Sequence, residues 1–203
     1  MAPLCLLACA SSSFAVTLFN PDTFEDGTVM DWGGADPVNT AGGAGGSSKA
    51  LLLQCGSFGN RPFMAGDNED ARYIGNWLSA SATGMTLNLK GGVDTEPMII
   101  HMVLFGANGS RWETNTGYAV GPSGGWQSAH FEVSDLVRVS GIGTMNDALG
   151  AINRVMFRHN TVLLPGGESV NGQLLLDNVQ VVPEPGTLAA LGLGALAVLR
   201  RKK

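Results

Sequence analysis

The stretch Trp126-Gln127-Ser128-Ala129-His130-Phe131-Glu132-Val133 alternates along its length, with Gln127, Ala129, Phe131 and Val133 on one face and polar residues between them. A period of two is the pleat of a half-buried β-strand, since a helix would repeat every 3.6 residues. Strand-like runs recur on either side of it, at 17–19, 49–54, 72–74, 85–90, 98–105, 154–159 and 173–181. Turn-forming stretches separate them, among them 40–48, Asn108-Gly109-Ser110 and Pro165-Gly166-Gly167. Only 146–152 reads as helix, and it is short enough to be a connection. Strands spaced by turns, with no internal repeat, predict an all-β antiparallel β-sandwich over residues 16–181.

Composition agrees. The chain has 203 residues, 29 of them Gly, and a charged fraction of only 14%. A hydrophobic content of 44% is enough for a packed core. The net charge of -5 conceals an asymmetry. Of 12 basic residues, four are Arg200, Arg201, Lys202 and Lys203, which leaves eight for the rest of the chain. An acidic body of this kind cannot neutralise a row of phosphates, so nucleic acid is excluded as a partner. Hard cations and neutral sugars remain compatible with it.

The two ends read as addresses. Leu4-Cys5-Leu6-Leu7-Ala8-Cys9-Ala10 is a short apolar run, and Ser13-Phe14-Ala15 places small residues where a signal peptidase reads. Residues 1–15 are therefore expected to be a signal peptide, with Val16 the mature start. No Lys or Arg precedes Lys49, so the expectation is a start upstream of Met1. A lipoprotein box at Leu6-Leu7-Ala8-Cys9 is the rival reading. Cleavage would remove Cys5 and Cys9, leaving Cys55 as a lone, buried strand residue with no intrachain disulfide.

At the other end, Val182-Pro183-Glu184-Pro185-Gly186-Thr187 breaks the preceding strand, and an uncharged stretch to Leu199 runs into the basic cluster. As a short hydrophobic helix that stretch would reach only about 20 Å, against a hydrocarbon core of roughly 30 Å. The cations would stay cytoplasmic and leave the body on the far side. Pro183-Glu184-Pro185, the short Gly/Ala/Leu stretch and the closing Arg/Lys cluster together resemble the PEP-CTERM protein-sorting tail, over residues 182–203. The resemblance implies transient membrane insertion, cleavage near the Pro-Glu-Pro motif by an exosortase-type membrane protease, and delivery to the cell surface or extracellular matrix.

Within the body, Phe24-Glu25-Asp26-Gly27, Asp31-Trp32, the Gly-rich stretch before Leu51-Leu52-Leu53, Gly125-Trp126-Gln127 and Leu176-Asp177-Asn178-Val179 occur in an order that resembles carbohydrate-binding modules with a galactose-binding-like jelly roll. That resemblance implies a structural calcium ion held by Glu25 and Asp177, with carbonyls near 45–49 completing its shell. Calcium needs six to eight hard oxygens, which distant segments can supply.

Of the four tryptophans, Trp32 and Trp126 are assigned to core or rim. Trp77 and Trp112 are the candidate carbohydrate-binding residues, because a sugar ring packs on an aromatic face. Catalysis is not expected. His101, His130 and His159 are scattered, and there is no paired metal motif, nucleophile elbow or phosphate loop. The expected function is a non-enzymatic, exported surface or matrix protein that binds extracellular polysaccharide. A purely structural matrix component and a glycan-processing enzyme stand as alternatives.

Overall fold

The computed structural model describes residues 16–122 and 124–183. The expected signal segment and the expected helix of the tail lie outside the described residues. Twelve strands and one short helix follow in order: β1 Gly33–Gly34, β2 Val38–Ala41, β3 Lys49–Cys55, β4 Ala65–Asn68, β5 Ala82–Gly91, β6 Met98–Gly106, β7 Arg111–Thr114, β8 Tyr118–Val120, β9 Gln127–Glu132, β10 Leu136–Ser140, α1 Met145–Leu149, β11 Ile152–His159 and β12 Gly172–Pro183.

All strand pairings among these elements are antiparallel, and they build two sheets. One runs β2-β3-β12-β5-β9. The other runs β1-β4-β11-β6-β7-β10, with β8 also paired to β6. The protein is an all-β sandwich of the jelly-roll type.

The alternation of residues 126–133 shows why the sheets close on each other. Ala129 and Phe131 of β9 point inward and are buried. Phe131 meets Phe157 of β11, on the opposite sheet, with ring centroids 5.4 Å apart. Phe157 stacks on Trp32 at 5.7 Å, and Trp32 meets Tyr73 edge-on at 5.6 Å. Each such aromatic contributes about 1.5–3 kcal/mol through burial, and the ring contacts add to that. Inward residues of β3 (Leu51, Leu53, Cys55), β5 (Met85, Leu87, Leu89) and β6 (Met98, Ile100, Met102, Leu104) fill the rest of the core. Cys55 is buried, and its thiol donates to the Val170 carbonyl at 3.2 Å.

The buried Asp22 carboxylate is paired. Trp32 Nε1 donates to Asp22 Oδ2 at 2.9 Å, and Arg72 forms an ion pair with the same carboxylate. Burial pushes the Asp22 carboxyl up, against hydrogen bonds from Tyr73 and Trp32 and the charge of Arg72.

Two expected strands are not strands. Residues 72–74 form a turn, because Arg72 N donates to Asp70 Oδ1 and Tyr73 N to the Asp70 carbonyl, which curls the chain. Residues 17–19 contribute only an isolated bridge from Leu18 to Val181. The helix is one turn long and starts at a Thr144–Asp147 capping box.

Candidate functional site

The outward face of the five-stranded sheet is unlike an ordinary solvated face. Gln54 (β3), Gln173 and Gln180 (β12), Thr86 and Asn88 (β5) and Ser128 (β9) alternate with the core residues of the same strands. Their side chains pair across the strands. Gln173 Nε2 donates to Gln54 Oε1 at 3.2 Å, Asn88 Nδ2 to Ser128 Oγ at 3.1 Å, and Gln180 Nε2 to Thr86 Oγ1 at 3.2 Å.

Asn178 joins this ladder through a bulge. The register of β12 against β5 shifts between Asp177 and Gln180, and Asn178 takes the left-handed φ of 53° that Asn tolerates. Its Nδ2 then donates to Asn88 Oδ1 at 2.9 Å while Val179 stays buried.

Beside the ladder lies a depression of about 360 Å³, floored by Leu52 and Leu175 and walled by Val93, Lys90, Gln173 and Gly124. Lys90 is its one charged lining residue among the described residues. Trp126 lies two positions before Ser128, on the outward side of β9. It is half-buried, and its Nε1 donates to the Gly42 carbonyl at 3.3 Å. It therefore belongs to the outer face rather than to the core.

The loop between β2 and β3 folds back over the same face. Asp177 is fully buried beneath it and accepts Ala44 N on Oδ2 at 2.7 Å and Asn178 N on Oδ1 at 2.8 Å. Glu25 reaches the loop from outside. It accepts Ser48 N at 2.8 Å, Lys49 N at 2.9 Å and Ser48 Oγ at 2.6 Å.

These hydrogen bonds hold Glu25 below the usual carboxylate range, that of the Ser48 side chain foremost. Burial pushes Asp177 up, and the Glu25 charge adds to the rise. A β-carbon on Gly43 would stand 2.0 Å from the Lys49 carbonyl oxygen and 2.8 Å from Asp177 Oδ2, so only glycine lets these oxygens converge there. Glu25 and Asp177, predicted as partners, are thus brought to one loop. Among the described residues no three His, Cys, Asp or Glu side chains gather at one point.

The tryptophans predicted to meet a ligand are placed otherwise. Trp77 is fully buried, its Nε1 donating to the Tyr73 carbonyl at 2.8 Å, and it has no face to offer a sugar. That assignment is corrected: residues 75–81 tuck under the sandwich and carry the indole into the core. Trp112 is half-buried on β7. It packs against the core cluster with the Arg138 guanidinium 6.0 Å from its ring and its Nε1 on Ser110 Oγ. The pair shares no surface.

His101, His130 and His159 stand on β6, β9 and β11. Pro183 is the last residue of β12, paired with Ala82, whereas Glu184 and Pro185 lie outside the described residues.

Residues 181–203 match the PEP-CTERM protein-sorting motif, which marks the chain for export and sorting through its C-terminal tail. No curated protein matches the chain by sequence. Among solved structures, an exo-beta-agarase is similar at TM-score 0.54 and 14% identity, over 83% of this chain and 26% of the enzyme. The chain thus spans about a quarter of the agarase it matches. A non-crystalline cellulose specific carbohydrate-binding module, CBM28, is similar at TM-score 0.50 and 16% identity, over 84% of this chain and 97% of the module. The CBM22-1 xylan-binding domain from Paenibacillus barcinonensis Xyn10C is similar at TM-score 0.50 and 13% identity, over 84% of this chain and 97% of the domain. The fold is that of carbohydrate-binding module jelly rolls.

Proposed function

We propose that this chain is an exported, exosortase-sorted protein whose sandwich binds a neutral polysaccharide on the outer face of the five-stranded sheet, without chemistry on the polymer. One observation carries the reading: an uncharged ladder of amides and hydroxyls lies beside an apolar floor and an indole. Sugar hydroxyls need donors and acceptors in roughly equal supply, which Asn, Gln and Ser provide. The apolar side of a ring needs a flat greasy surface, which Leu52, Leu175 and Trp126 provide. The structural relatives named for cellulose and xylan make neutral polymers the first to try.

Glu25 and Asp177 would hold a structural calcium ion, with the Lys49 carbonyl as a third donor. Two carboxylates of like charge held against one loop, one of them buried, support a cation between distant segments. It would brace the 42–49 loop against β12 and keep Trp126 in place through Gly42. Exosortase-type processing near Pro183-Glu184-Pro185 would then release the body to the cell surface or extracellular matrix.

Affinity electrophoresis of the full chain through gels carrying xylan, soluble cellulose derivatives or agarose tests the reading. Retardation by at least one neutral polymer, with no reducing ends released on prolonged incubation, is expected. Free migration through every gel, with and without calcium, would leave a protein-contact role in the matrix instead.

A further inference from the structure

We propose a second binding site, on the outer face of the seven-stranded sheet, in which Arg111 and Arg154 take the carboxylate of an acidic sugar. The site lies on the opposite sheet from the polysaccharide groove and does not depend on it.

Register places the site. Phe105 of β6 is paired with Arg154 of β11 on one side and Arg111 of β7 on the other, so all three side chains share the outer face. The Arg154 guanidinium lies 4.1 Å from the Phe105 ring centroid and that of Arg111 lies 5.1 Å away. Phe105 is thereby covered to 7% exposure although it faces outward. The loop 161–168 is tied down beside them, with the Pro165 carbonyl accepting from both Arg111 and Arg158 at 3.0 Å. Phe63, Met156 and Gly167 help to enclose a depression of about 210 Å³, of a size for one sugar residue.

Three of the eight basic residues outside the closing cluster meet in this one depression of an otherwise acidic body. They are not equivalent. Arg158 is buried and saturated: it is paired with Glu113 at 2.7 Å and bonded to the Leu164 and Pro165 carbonyls, so its role is structural. Arg111 has a carbonyl partner and no carboxylate within ion-pair distance among the described residues.

Arg154 is held by stacking rather than by hydrogen bonds. Its nearest carboxylates, Asp67 at 3.6 Å and Glu69 at 3.7 Å, are too far for a hydrogen bond, and its buried Nε has no acceptor. A buried N–H without a partner is costly, and a guanidinium held over an aromatic ring is pre-organised to meet a planar, two-oxygen anion. A carboxylate arriving at the rim would take hydrogen bonds from the accessible part of the Arg154 guanidinium and from Arg111 in the same step, displacing the long contacts to Asp67 and Glu69.

The test is titration of the full chain with tri-galacturonate, followed by the side-chain Nε–H resonance of Arg154, which is assigned by its loss in Arg154→Gln. The resonance should move on titration and stay still with an uncharged trisaccharide or with equal sodium chloride. Arg111→Gln and Arg154→Gln should each weaken binding about tenfold or more, the scale of a lost hydrogen bond to a charged group. Glu69→Gln, which removes a competing exposed carboxylate, should tighten it. Trp126→Ala should leave it unchanged.

A still resonance, or undiminished affinity in Arg111→Gln, would overturn the proposal. So would weaker binding in Glu69→Gln. Should Arg154→Gln melt early, the wild-type resonance and the Arg111 and Glu69 variants carry the decision. Loss of neutral-polymer binding with this response intact would count against the first site alone.

Discussion

Asp177 Oδ2, on the last strand, accepts the backbone N–H of Ala44 at 2.7 Å, joining positions 133 residues apart in the chain. The calcium ion proposed above would sit against this buried carboxylate and the loop it fixes. Calcium is therefore expected to raise the melting temperature of the full chain, because a ligand that binds only the folded state stabilises it. Asp177→Ala should erase that rise and Glu25→Gln should reduce it. A calcium-independent melting curve for the wild type would return both residues to hydrogen bonding alone.

Trp126 and Trp77 should respond to substitution in opposite ways. Trp126→Ala removes an indole from the outer face and should weaken retardation by a neutral polymer about tenfold or more, with only a small change in melting. Trp77→Ala empties a core site and should cost about 3–5 kcal/mol by denaturant titration. Equal loss of binding in correctly folded samples of both variants would show that the outer face is not where the polymer lies.

Glu113 holds Arg158 at 2.7 Å and also accepts from Asn160 Nδ2 at 2.7 Å, with all three residues buried. Glu113→Ala strands a buried guanidinium and an amide, and should cost about 3–5 kcal/mol in urea unfolding. A loss below about 1 kcal/mol would mean that water reaches the pair readily.

Acid should loosen the loop that closes the arginine face. The Thr161 hydroxyl, with Thr161 N, holds Glu168 below the usual carboxylate range. A lowered folded pKa gives stability that is present above the unfolded value of about 4.3 and disappears as pH falls through the folded one. The wild type should therefore melt above Glu168→Gln at pH 6–7, and the gap should close as the pH drops below about 4. Asp22 and Asp177 act in the other sense, since burial raises both and the folded state holds their protons more tightly.

Strands β3, β5, β6, β9, β11 and β12 could be read from the chain, because each is long enough to show its period or a continuous apolar run. Those missed run only two to five residues, too short to show a period, as in Arg111–Thr114, where the buried Glu113 is held by the Arg158 ion pair. Residues 72–74 misled in the opposite way: their bulky side chains suit a strand, but Asp70 turns the backbone. That Glu25 and Asp177 meet at one loop followed from a resemblance to known modules; a metal role for them is a proposal.

The amide ladder was not visible, since Gln54 and Gln173 meet only once β3 and β12 are in register. Trp77 shows the same limit. Nothing in its neighbours announces burial, which comes from packing against residues far away in the chain. Trp126 was read as the start of a strand and assigned to core or rim; it stands one residue before β9, and its place on the outer face depends on the loop at Gly42.

Pro183 is both the final rung of the sheet, opposite Ala82, and the first residue of the Pro-Glu-Pro element inside the sorting signal. Folding and hand-over thus lay claim to one residue, with no leash between them. A processing enzyme must either grip beyond Pro183 or prise that rung loose, and mass spectrometry of the released chain reads which, by whether its final residue precedes or follows Pro183. A cut beyond it would leave the freed body finished flush with its own sheet.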